Sequence, residues 1–229
     1  MFRITIDITE LLKIAIPTVL GLLVLYFQMA RNRRMQAEGT FFNLLNSIRS
    51  MVANTEGRVV KVVKSTFENR IDYEFKGINY FTEANKELQK RLSEALGNAI
   101  LDQAISTQVK DKQSIEAMHQ LAKDTYNVFF KEHLPELAHY YRFTFNVLNF
   151  VHTHPDINKK KKIQYIKFIQ SQMSDSELQL LYYNGIGQHG SKYYDLIERY
   201  NFLENIATSG NKGFIESLEY FYPKSKFRL

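Results

Sequence analysis

Six histidines, at positions 119, 133, 139, 152, 154 and 189, are the side chains best suited to proton transfer or metal binding near neutral pH. His152 and His154 flank Thr153 just before Asp156, which could begin a metal site. The spacing recruits no further ligand, so a solvated polar loop is the favoured reading, and neither a metal nor a cofactor is expected. Some helical ribonucleases place an arginine about four to six residues before a histidine, roughly one helical turn apart on a shared face. No arginine here has that relation to a histidine, and Arg142 precedes His152 by ten positions. Cysteine is absent, which excludes disulfides, thiolate zinc ligands and a cysteine nucleophile. The lysine-bearing phosphate loop, the G-x-S-x-G elbow and the H-E-x-x-H pair are missing as well. GIGQHG at 185–190 follows a helical pattern rather than a strand, and reads as a helix termination.

Two sets of charges ask for partners. Lys159, Lys160, Lys161 and Lys162, with Lys167 behind them and Tyr165 and Phe168 interleaved, form the densest basic cluster. Cations at a helix start oppose the macrodipole, which favours an anionic partner: lipid headgroups, or more weakly a nucleic-acid backbone. A solvated first turn is the plain alternative. Arg142 lies among Tyr140, Tyr141, Phe143 and Phe145, and an isolated buried charge costs several kcal/mol. The expectation is a buried ion pair with Glu177 or Glu198.

These residues need elements to hold them. The chain has 229 residues, 45% apolar and 14% aromatic, enough for one core plus an appendage. From Leu11 to Ala30 it reads LLKIAIPTVLGLLVLYFQMA, with Lys13 its one charge. A helix of that length spans about 30 Å, the thickness of a bilayer's hydrocarbon core. Arg31, Arg33 and Arg34 follow at once, and by the positive-inside rule the bulk of the chain stays cytoplasmic with the amino terminus outside. The net charge is +6, and residues 1–30 contribute none of it, Arg3 and Lys13 balancing Asp7 and Glu10.

Residues 1–34 are therefore read as a membrane anchor and 35–229 as a helical cytoplasmic domain. The fold class is all-α, with a small β-hairpin near 58–76 turning at Asn69. Apolar spacing predicts helices to about Gly57 and over 80–105, 114–134 and 135–153, the last as the centre of the core. Further helices are expected over 159–172, from Asp175 after the S-D-S-E capping box, and over 191–207 and 213–222. There is no internal repeat and no low-complexity linker.

The stretch from Tyr140 to Ile206 contains YYRFTFNVLNFV, then YIKFIQSQMSDSELQLLYYNGIGQHG and KYYDLIERYNFLENI. It resembles the phage abortive-infection family related to AbiC. Tyr141, Arg142, Gln172, Ser174, Glu177, Leu178, Tyr183, Asn184, Ile197 and Tyr200 occupy the matching positions, and FFNLLNSI and GINYF are weaker echoes upstream. Gln170 stands where members commonly carry arginine, and Met173 replaces leucine. The resemblance implies defence against bacteriophage by arresting or killing the infected cell and carries over no catalytic residue; the apolar run and its arginines set the expected location as the bacterial inner membrane. The partners expected are the lipid bilayer and either a further copy of the chain or a defence-system protein. A membrane-tethered nucleic-acid enzyme and a scaffold unrelated to defence are the competing readings.

Overall fold

From Ile8 the chain is helical without a break to Asn54, forming α1, which at 1.5 Å per residue is about 70 Å long. The computed structural model describes residues 8–63, 69–105, 112–207, 219–223 and 225. No break in the helix falls at the arginines, because RNRRMQAE holds no proline or glycine and is rich in good helix formers. Residues 15–29 are exposed throughout, and among the described side chains of α1 burial starts at Ala37, continuing through Phe41, Leu45 and Ile48. That spacing forms one stripe, along which α1 packs on α4 (Leu134–Thr153). The separate span expected over Leu11–Ala30 is thus corrected to the leading part of a longer helix that enters the domain. Among the described residues no helix is long and apolar enough to cross a membrane; the side chains of Leu11, Leu12 and Ile14, which lengthen the run in the sequence, lie outside them.

The hairpin forms as strands β1 (Glu56–Val63) and β2 (Asn69–Lys76), paired antiparallel from Glu56 with Lys76 to Val63 with Asn69. Asn69 opens the second strand, and the turn itself falls at 64–68, outside the described residues. Gly77 closes the unit with φ 60°, a conformation glycine adopts without steric cost, while its amide donates to the Thr55 carbonyl at 2.7 Å.

The helical domain follows the predicted order: α2 (Ile78–Ile105), α3 (Lys112–Glu132), α4, α5 (Lys159–Ser171), α6 (Asp175–Ile186) and α7 (Ser191–Tyr200). The S-D-S-E box forms as read, with Ser174 and Glu177 capping each other's backbone. The last predicted helices are revised. α7 stops at Tyr200 because Asn201 adopts the left-handed conformation at φ 52°. Of 213–222, residues 213–218 lie outside the described residues and 219–221 are helical. The most deeply embedded helix is α6, buried from Leu180 to Ile186, rather than α4. α4 buries Leu137, Tyr140, Val147, Leu148 and Val151 on one side only.

A polar network joins α2 to the α3–α4 corner. Arg91 bridges Glu87 and Glu132, the latter at 2.5 Å, and His133 lies 3.4 Å from Glu87 and 3.1 Å from the Tyr80 hydroxyl. Burial pushes the Glu87 carboxyl up, but His133 and Arg91 outweigh it and leave it below its usual range. Arg91 likewise lowers Glu132. Burial, helped by nearby lysine or arginine charge, lowers His119 and His152. All four groups bind a proton less readily folded than unfolded, so acid favours unfolding. Stability is expected to fall first below the ordinary histidine value of 6.5, then again below the carboxylate value of 4.5. Melting curves across that range check the sign, and a midpoint that rises on acidification would contradict it.

Candidate functional site

Two places gather the residues that the sequence marks. At the first, Asn158 caps α5 by accepting from the Lys161 amide at 2.9 Å, which fixes the four lysines in its first turn. The Tyr165 ring stacks on Phe41 of α1 at 4.2 Å, and Lys161 pairs with Glu38. Glu38 stands one turn beyond Arg34, and Lys161 lies within reach of the Arg34 charge. Two basic segments far apart in sequence, Arg31, Arg33 and Arg34 on α1 and Lys159–Lys162 on α5, therefore meet where the exposed apolar part of α1 ends. The lysines are not one free cluster, however. Lys162 donates to the His152 carbonyl at 2.6 Å and Lys167 pairs with Glu204 at 3.0 Å. Lys159 and Lys160 are exposed.

The second place is a cleft of about 800 Å³ between α4 and the α6–α7 corner. Helical spacing puts Leu134, Ala138, Arg142 and Phe145 along one flank of α4, and His189, Ser191, Lys192 and Tyr193 supply the facing wall. Tyr193 donates to the Tyr141 carbonyl at 2.5 Å, which holds α7 against α4. The corner turns tightly at Gly190, where a Cβ would sit 1.6 Å from the Asn184 carbonyl oxygen. Asn184, at the base, accepts from Tyr126 at 3.3 Å. Tyr141 is buried, with its hydroxyl near that of Tyr126. Burial pushes its phenol above the ordinary value of 10, so it stays protonated and available as a donor.

Arg142 is a correction. It is exposed, with Nε donating to the Ala138 carbonyl at 3.2 Å, and among the described residues no acid pairs with it. The aromatic neighbours mislead because Phe143 and Phe145 are only half-buried, each lining a surface cleft beside α4. The buried acid is Glu177, and its partner is the Tyr140 hydroxyl at 2.8 Å. Arg142→Ala is accordingly expected to change stability by about 0.5 kcal/mol or less, as surface substitutions usually do; a loss of several kcal/mol on thermal melting would restore the buried pair.

The other marked residues are mainly structural. Gln172 caps the end of α5 and binds Arg49 of α1. Tyr183 is buried and stacks with Tyr126 at 6.1 Å. Tyr200 meets His152 Nδ1 at 2.8 Å, so this histidine serves a helix contact, and His154 accepts from the Asp156 amide at 3.2 Å. Among the described residues no three potential ligands gather as a metal site. Gln170, in the place of an arginine, is buried and donates to the Phe202 carbonyl at 2.7 Å, a role that a neutral amide fills. Sequence reasoning missed His189 and Lys192, which enter the cleft only through the fold; their one signal was proximity to the glycine-rich corner.

Residues 132–210 match the family model putAbiC, described as "Putative phage abortive infection protein". The match runs from the start of α4 past α7 and takes in every lining residue of the cleft named above. No curated protein matches the chain, and no solved structure matches it.

Proposed function

We propose that this chain is an antiphage defence protein of the abortive-infection type, tethered to a bilayer by the leading part of α1 and acting through its helical domain. The family match over 132–210 carries the reading, since it covers a folded unit with a formed cleft rather than a scattered motif.

The tether rests on a different observation. Leu22, Leu23, Val24 and Leu25 are consecutive and all about half exposed or more; at 100° per residue they face every side of the helix. A docked protein covers one face of a helix, whereas lipid covers all of them. The basic residues of α1 and α5 meet at the foot of this stretch, where anionic headgroups would lie, and each lysine or arginine there contributes on the order of 1 kcal/mol. That position favours lipid over nucleic acid as the anionic partner. By the positive-inside rule the same basic residues favour a cytoplasmic domain in a bacterial cell, with the amino terminus across the inner membrane. One helix cannot line a pore, so any membrane disturbance requires further copies or a partner protein.

The test is the plating efficiency of a panel of phages on a bacterial host with and without the gene, with fractionation of the same cells. Protection against at least one phage, with the chain in the membrane pellet, is the expected result. No protection across the panel would contradict the defence reading, and protection by a chain found in the soluble fraction would remove the tether alone.

A further inference from the structure

We propose that the cleft between α4 and the α6–α7 corner is a binding site for a mononucleotide, a phosphate-bearing anion with a flat ring. The inference stands on the geometry of the cleft and not on the defence reading.

The charge of the lining is one-sided. Arg142 and Lys192 face the cleft from opposite walls with His189 beside them, and its lining contains no aspartate or glutamate. Neither cation has an acidic partner among the described residues. A second cleft, of about 740 Å³, is lined by Glu56 and Glu136 and would repel the same anion. The α7 N-terminus adds backbone donors: Gly190 caps it without a side chain, and the first internal bond is taken by Tyr193, whose amide donates to the Gly190 carbonyl at 2.8 Å. The leading amides, of Ser191 and Lys192, are left for an anion, which the helix dipole also favours. Tyr141 also lines the cleft, 4% exposed and held protonated by its burial.

The remaining lining fits the rest of such a ligand. Phe130, Leu134, Pro135 and Phe145 give an apolar wall for a planar ring, and Asn146, one turn along α4 from Arg142, can read its polar edge. A volume near 800 Å³ falls within the range of about 300–1,000 Å³ usual for small-molecule sites. Arginine supplies the paired donors that a phosphate accepts, with lysine as a point charge opposite.

The experiment is calorimetric titration of the full chain in detergent with AMP, GMP and inorganic phosphate as probes. The expected result is single-site binding of at least one nucleotide, about tenfold or more tighter than phosphate alone, because phosphate leaves the apolar wall unused. The double variant Arg142→Gln, Lys192→Gln should melt like the parent and bind that nucleotide about tenfold or more weakly. Should the double variant melt early, hydrogen exchange on the unaltered chain decides: the nucleotide should protect amides around 142–146 and 190–193. Failure of both nucleotides to bind, equal binding by a normally melting double variant, or protection confined to other segments would overturn the proposal.

Discussion

Glu177→Ala is expected to lose roughly 1.5–5 kcal/mol of stability, the sum of a lost cap and a stranded buried hydroxyl. Glu177 is 2% exposed, and its carboxylate takes the Ser174 amide at 2.9 Å, the Ser174 hydroxyl at 2.7 Å and the Tyr140 hydroxyl at 2.8 Å. Losing the cap costs about 0.5–2 kcal/mol, and leaving Tyr140 unsatisfied in the core costs about 1–3 kcal/mol more. Against a total stability of about 5–15 kcal/mol the variant should be scarce in cells, and scarcity alone should weaken protection. Glu177→Gln, which keeps an acceptor, should lose much less. Tyr140→Phe placed in the Glu177→Ala background should return part of the loss, because no hydroxyl is then stranded; a double-mutant cycle on melting or denaturant curves reads that coupling. Strictly additive effects would show that the two side chains do not act as a pair.

Deleting residues 1–30 is expected to move the chain from the membrane pellet to the supernatant and to reduce protection by orders of magnitude, while the domain stays folded. Folding should survive because, among the described side chains of α1, burial first appears at Ala37. Protection should not, because a protein acting at the membrane loses local concentration when untethered. The readouts are fractionation, circular dichroism of the fragment and plating efficiency. A soluble fragment that protects as well as the full chain would place its action away from the membrane.

The sequence predicted the helical order well because it rests on local signals. Ser174 and Glu177 cap a helix whatever surrounds them, and the stripes of α2 and α3 repeat at helical spacing. What failed depended on long-range packing. Arg142 was read as buried because four aromatic residues surround it in sequence, yet an aromatic can sit half-buried on the rim of a cleft, as Phe143 and Phe145 do. The continuity of α1 was hidden by a sharp change of composition at Arg31 that helix propensity does not register. Only the fold could bring Lys161 to Glu38 or Lys192 across from Arg142. The glycine-rich corner was recognised as a stop, but its need for glycine at position 190 comes from the closeness of the Asn184 backbone, which no spacing announces.

The account's central claim, defence at the expense of the infected cell, is tested most directly by infecting cells that carry the gene at high and at low multiplicity. The measurements are colony survival and phage yield per infected cell. The account predicts that at high multiplicity nearly all cells fail to form colonies and release few phage, whereas at low multiplicity the culture survives. Infected cells that recover and divide, or that release a normal burst, would contradict it.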